Sequence, residues 1–196
     1  MKFLPMFSSL SLVLLAGLGA MLWGHTHPSY SNDWLSVQAP DGRWRLSSSS
    51  NAGVAYATDK NGRREKAFVS MIALPPDLSP EAMVDFVRDE ALHDPRIANM
   101  KVVESAFDYS VARGYPCVQH RLTVRVPQSL RLRQQQALTC RHPGRPGTGI
   151  VMGFSVDMNA GLPDSSFDRQ AQSFFERVTL RLDVGVPQSS VASIAH

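Results

Sequence analysis

Cys117 and Cys140 are the two cysteines of this 196-residue chain, and they stand equidistant from the middle of a turn-forming stretch, Pro127-Gln128-Ser129-Leu130. An unbulged hairpin about that turn would set the two cysteines opposite each other. Opposed residues on antiparallel strands have Cα atoms about 4.5 or 5.5 Å apart, inside the range a disulfide spans. The spacing therefore predicts a Cys117–Cys140 disulfide that fixes the hairpin register, with two buried free thiols as the alternative. Cys117 and His120 do not make a thiolate pair, because residues three apart on one strand face opposite sides.

A disulfide needs an oxidising compartment, and the N-terminus is consistent with one. Lys2 precedes an uncharged apolar run from Phe3 to Gly24, the pattern of an export signal. At about 22 residues the run also suffices to cross a bilayer, so it reads as a signal peptide or an uncleaved anchor. Either places the rest of the chain outside the cytoplasmic membrane, in a periplasm or cell envelope. The expected organisation is a leader over 1–24, a tether over 25–33, one domain over 34–182 and a flexible tail over 183–196. The domain's length suits one substantial core.

Charge is unevenly placed. With Lys2 set aside, 19 basic residues face 17 acidic ones. Seven of the 19, namely Arg113, Arg121, Arg125, Arg131, Arg133, Arg141 and Arg145, lie between residues 109 and 156, where there is no Asp or Glu. Elsewhere 12 basic residues face 17 acidic ones, a charge of about −5. In the symmetric register Arg121 and Arg125 point away from the face of Val118, Leu122 and Val124, so they are expected in solvent together. Arg131 and Arg133 fall opposite Val126 and Val124, which asks for a bulge or an exposed edge strand. Arg121, Arg125, Arg131 and Arg133 are thus the candidate basic surface, facing an acidic envelope protein or anionic lipid; protection of a sheet edge is the competing explanation. Nucleic acid is disfavoured by the compartment and by the lack of aromatic residues among these arginines.

Along the chain, strands are expected at Leu35–Ala39 and Arg43–Ser47, joined by Pro40-Asp41-Gly42, with a polar loop over Ser47–Asn51. Gly53–Thr58 and Lys66–Leu74 flank an Asn61-Gly62 turn. Ser79-Pro80-Glu81 opens a helix with Met83, Phe86, Val87 and Ala91 on one face. Strands over 100–111, 115–126, Leu132–Arg141 and Ile150–Asp157 come next, and Asp164-Ser165-Ser166 starts a helix carrying Phe167, Ala171, Phe174, Phe175 and Val178.

No catalytic motif emerges. Gly153-Phe154-Ser155-Val156-Asp157 lacks the second glycine of a nucleophile elbow. His93, His120 and His142 are too isolated for a zinc set, and His25-Thr26-His27 lacks a further fixed ligand for copper. No cofactor or metal is expected.

Val37 to Trp44, the helix over Ser79 to Leu92, the meander of long strands and the helix over Ser165 to Val178 together resemble the PsbP-like α/β/α sandwich superfamily. That resemblance implies an α+β domain, an antiparallel sheet with helices packed on it. It transfers no binding residue. The functional expectation is a non-catalytic envelope accessory or binding protein with an Arg-rich face. The alternatives are an enzyme with a pocket of scattered residues and a purely structural envelope domain.

Overall fold

The computed structural model describes residues 27–60, 62–95, 97–129, 131–159 and 164–181. The leader expected over 1–24 and the tail expected over 183–196 lie outside these residues. Ten strands and two helices are described: β1 (Ser29–Ser31), β2 (Leu35–Gln38), β3 (Arg45–Ser50), β4 (Gly53–Lys60), β5 (Arg63–Ala73), α1 (Pro80–Leu92), β6 (Lys101–Ser110), β7 (Cys117–Arg125), β8 (Arg131–Arg141), β9 (Thr148–Asn159), α2 (Phe167–Glu176) and β10 (Val178–Leu180).

Seven strands form one antiparallel sheet in the order β3-β4-β5-β9-β8-β7-β6, and β1, β2 and β10 form a second. Because side chains alternate across a strand, each face of the large sheet needs its own cover. One face takes α2 and the small sheet, closing over Tyr56, Ala67, Val69, Leu138, Ile150, Met152, Phe154 and Val156. The other takes α1, whose Met83 and Val87 meet Leu74 and Val118. This is the α+β architecture expected, with one helix on each side of the antiparallel sheet.

Both helices start where the sequence indicates. The Ser79 hydroxyl accepts the Ala82 N–H at 3.2 Å, and Pro80 occupies the first turn, where its missing N–H costs nothing. At α2 the capping acceptor is Asp164 rather than Ser166: its Oδ1 accepts the Ser166 N–H at 2.9 Å and the Ser166 hydroxyl at 2.6 Å.

Several strands depart from expectation. β2 and β3 are joined by the Pro40-Asp41-Gly42 turn but belong to different sheets. β2 pairs instead with β1 and β10, because Leu35 and Val37 are fully buried and need cover that a hairpin with the exposed β3 does not provide. Within the segment read as a tether, Ser29–Ser31 is a strand, and the Tyr30 hydroxyl donates to the Ser50 carbonyl at 2.5 Å. The serine run read as a loop continues β3 along the sheet edge.

The hairpin register is the expected one. Cys117 pairs with Cys140 and the ladder runs to Arg125 and Leu132 with no bulge. The disulfide is formed, with Cα atoms 4.0 Å apart.

Candidate functional site

The unbulged register distributes the hairpin arginines over both faces. Arg121 and Arg125 lie on the α2 side with Cys117, whereas Arg131 and Arg133 lie on the α1 side with Val124. Neither β7 nor β8 is an edge strand; the edges are β3 and β6. Edge protection therefore does not explain these residues, and the exposed edge strand invoked for Arg131 and Arg133 is not needed.

Most of the seven arginines have internal partners. The Arg113 guanidinium donates to the Phe175 carbonyl at 2.8 Å, placing a cation at the end of α2, whose own last turn has no basic residue. Arg141 donates to the carbonyls of Pro75 at 2.9 Å and Pro146 at 2.7 Å. Arg145 stacks on Trp34, 3.5 Å from its ring centroid. Arg133 grips Asp157, its register partner on β9, through two hydrogen bonds of 2.6 and 3.1 Å. Arg121 lies 3.4 Å from Asp168, both in solvent.

Arg125 and Arg131 remain. Both are exposed, and neither side chain has an ion-pair partner among the described residues. Arg125 is directly opposite Lys101 of β6, also exposed and without such a partner. Like charges directly opposed on a sheet destabilise it, so the pair is held there at a cost to the fold. A shallow depression of about 450 Å³ lies beside them, lined by Asn99, Lys101, Arg125 and the turn Val126–Ser129. Immediately along β6 the register shifts between Val102 and Glu104, and Val102 and Val103 stand 38% and 54% exposed. The hairpin end thus combines cations with bare aliphatic side chains. Lys101 was invisible to sequence reasoning because it lies outside the acid-free stretch; the hairpin between β6 and β7 brings it in.

A second charged region lies between the β2–β3 connection, β4, β5, β9 and α2, a cleft of about 660 Å³ whose lining includes Arg43, Arg63, Arg169, Asp41, Glu65, Trp44 and Phe154. Its charges are largely spent internally. Arg43 holds Asp41 through contacts of 3.0 and 2.6 Å, which keeps that carboxyl below its usual range. Arg63 bonds Asp164, and its Nε lies 2.6 Å from Glu65, close enough for an ion pair though the N–H does not point at the oxygen. Burial pushes the Asp164 carboxyl up, but Ser166 and Arg63 outweigh it and leave it lowered. Arg169 alone of the three has no ion-pair partner among the described residues.

Of the isolated His93, His120 and His142, the last two are buried. His142 Nδ1 accepts the Gly144 N–H at 3.2 Å, whereas neither ring nitrogen of His120 has a hydrogen-bond partner among the described residues. No cluster of three or more His, Cys, Asp or Glu suited to a metal ion occurs among the described residues. No described helix is long and apolar enough to cross a membrane.

No protein-family model matches the chain, and no curated protein matches it. Among solved structures it is similar to LpqN, involved in cell envelope biogenesis of Mycobacterium tuberculosis, at 15% identity over 81% of this chain and 87% of that one, with a TM-score of 0.47. It is also similar to a protein of Bacteroides thetaiotaomicron VPI-5482 at 12% identity over 80% of this chain and 49% of that one, with a TM-score of 0.43. Likenesses this distant support neither a family nor a function.

Proposed function

We propose that this is an exported, non-catalytic accessory protein of the cell envelope, built as a PsbP-like sandwich, whose β7–β8 hairpin end docks on anionic lipid. The observation that carries the reading is the opposed Lys101 and Arg125, exposed and without a carboxylate partner among the described residues, at the same end of the sheet as the exposed Val102 and Val103. Cations next to exposed apolar side chains suit a membrane interface, where headgroup phosphates meet the charges and the aliphatic groups reach toward the acyl boundary. Of the four arginines of the candidate basic surface, Arg125 and Arg131 serve this role directly. Arg121 shares its charge with Asp168, and Arg133 is neutralised by Asp157.

Export is supported by the Cys117–Cys140 disulfide, a bond that persists in oxidising compartments. Recognition rather than catalysis is supported by the groups at the hairpin end, where Lys101, Arg125 and Arg131 supply hydrogen-bond donors and positive charge but no nucleophile beside a base.

The test is co-sedimentation with vesicles of phosphatidylglycerol and of phosphatidylcholine. Binding should be confined to the anionic vesicles and should weaken as salt rises, because the Debye length contracts from about 10 Å at 0.1 M to about 3 Å at 1 M. Equal binding to both vesicles would reject the reading. Failure on vesicles together with salt-sensitive crosslinking through residue 125 to an acidic envelope protein would move the same surface to a protein partner.

A further inference from the structure

On the α1 face of the large sheet, one row of residues runs Phe107, His120, Ala137, Gly153, Phe68 across five strands. The row is bulky at its ends and carries the small Ala137 and Gly153 in its middle. Phe68 lies over Gly153 so closely that a Cβ there would be 2.2 Å from the ring, and Phe107 flanks His120 with ring centroids 5.6 Å apart. Helix α1 spans the gap and leaves a cavity of about 100 Å³. Its lining includes the neutral polar residues Ser70, His120, Gln135 and Thr139 on the sheet side, Glu90 and Asp94 on the helix side, and the apolar Phe68, Val87 and Val151.

His120 is 4% exposed, and both its ring nitrogens lack a hydrogen-bond partner among the described residues. Buried polar groups are ordinarily satisfied, so an imidazole left bare against a cavity marks a place where something else completes the bonding. Burial holds its pKa down to about 4 although Asp94 pulls the other way, so near neutral pH the ring has one donor and one acceptor.

We propose that this cavity binds a small uncharged molecule carrying a hydroxyl or amide group, hydrogen-bonded by His120, Gln135 and Thr139. The polar residues on its sheet side, Ser70, His120, Gln135 and Thr139, are neutral, so a buried anion would lose hydration without a counter-charge there. The carboxyl groups of Glu90 and Asp94 on the helix side further disfavour an anion. Water can meet the polar half of the lining but gains nothing from the apolar half. A molecule with a methyl group beside its polar group uses both halves. The volume is well below the roughly 300–1,000 Å³ of drug-sized sites, which limits the occupant to a few heavy atoms.

The experiment labels histidine with ¹⁵N in the otherwise native chain and follows both His120 ring nitrogens at pH 7 during titration. The probes are acetamide and 2-propanol, with acetate and methylammonium as charged counterparts. The proposal expects saturable shifts with the two neutral probes, little response to the charged ones, and loss of the response in Ala137→Leu, which fills the middle of the row. Shifts that stay absent or never saturate mean a water-filled cavity and overturn the proposal. So does an equal response in Ala137→Leu or stronger binding of a charged probe. If Ala137→Leu melts before it can be titrated, Thr139→Val decides: binding weakened several-fold supports the site, and unchanged binding rejects it.

Discussion

The two ends of the β7–β8 hairpin carry the same kind of residue and use it in opposite ways. At the disulfide end, Arg113, Arg141 and Arg145 are tied to the Phe175, Pro75 and Pro146 carbonyls and to the Trp34 ring. At the turn end, Arg125 faces Lys101, and neither it nor Arg131 has an ion-pair partner among the described residues. Guanidinium groups can satisfy carbonyls that the sheet and helices leave over, so an arginine-rich, acid-free stretch is not in itself a basic surface. What separates binding charge from structural charge is the partner, and register decides the partner.

The largest effect should come from the closed end. Reducing the disulfide, which closes a separation of 23 residues, should cost about 3 kcal/mol on the chain-entropy account, read as a lowered Tm. Vesicle binding by the fraction still folded should be unchanged. A stability loss below about 0.5 kcal/mol would show that register is held by packing alone.

Acid separates the ends from the sheet interior. The His120 pKa is lowered from 6.5 to about 4 by burial, so between those values the unfolded chain binds the proton that the folded chain refuses. Its contribution is full above pH 6.5, falls as pH drops toward 4 and is gone below, a loss of about 3 kcal/mol at 1.36 kcal/mol per unit. Denaturant midpoints measured from pH 7 to pH 4 should follow that course, and His120→Phe should flatten it. The proposed vesicle binding through the turn end does not involve His120 and should not follow the same curve.

Arg113→Ala removes the cation at the end of α2 and should cost about 2 kcal/mol, typical of a lost hydrogen bond from a charged donor. Lys101→Glu should do the reverse. It converts an opposed like-charge pair into a salt bridge and should raise stability by up to about 0.5 kcal/mol while weakening vesicle binding. Loss of stability in Lys101→Glu would mean that the lysine has a structural role, and the contrast between the two ends would fail.

Local patterns were legible in the sequence where local chemistry decides. The Ser79-Pro80-Glu81 start, the Phe167 to Phe175 stripe and the symmetric cysteine register all hold. Sheet membership was not legible for β2 and β3, because the Pro40-Asp41-Gly42 turn reads the same whether the chain closes a hairpin or crosses between sheets. Lys101 and Arg125 are distant in sequence and meet only through the β6–β7 ladder. His120 comes into one row with Ala137 and Gly153 only through the register of β7, β8 and β9, which no property of any of these residues alone announces.

The most direct test of the account compares two double variants on phosphatidylglycerol vesicles. Lys101→Gln with Arg125→Gln removes the turn-end charges, and Arg141→Gln with Arg145→Gln removes the same number at the disulfide end. At about 1 kcal/mol per basic residue near an anionic surface, the first should lower partitioning roughly 30-fold with its Tm preserved. The second should lower Tm and leave partitioning of the folded protein nearly intact. Equal loss of binding in both variants would contradict the account, since it would mean that overall charge rather than the unpaired hairpin end holds the protein to the membrane.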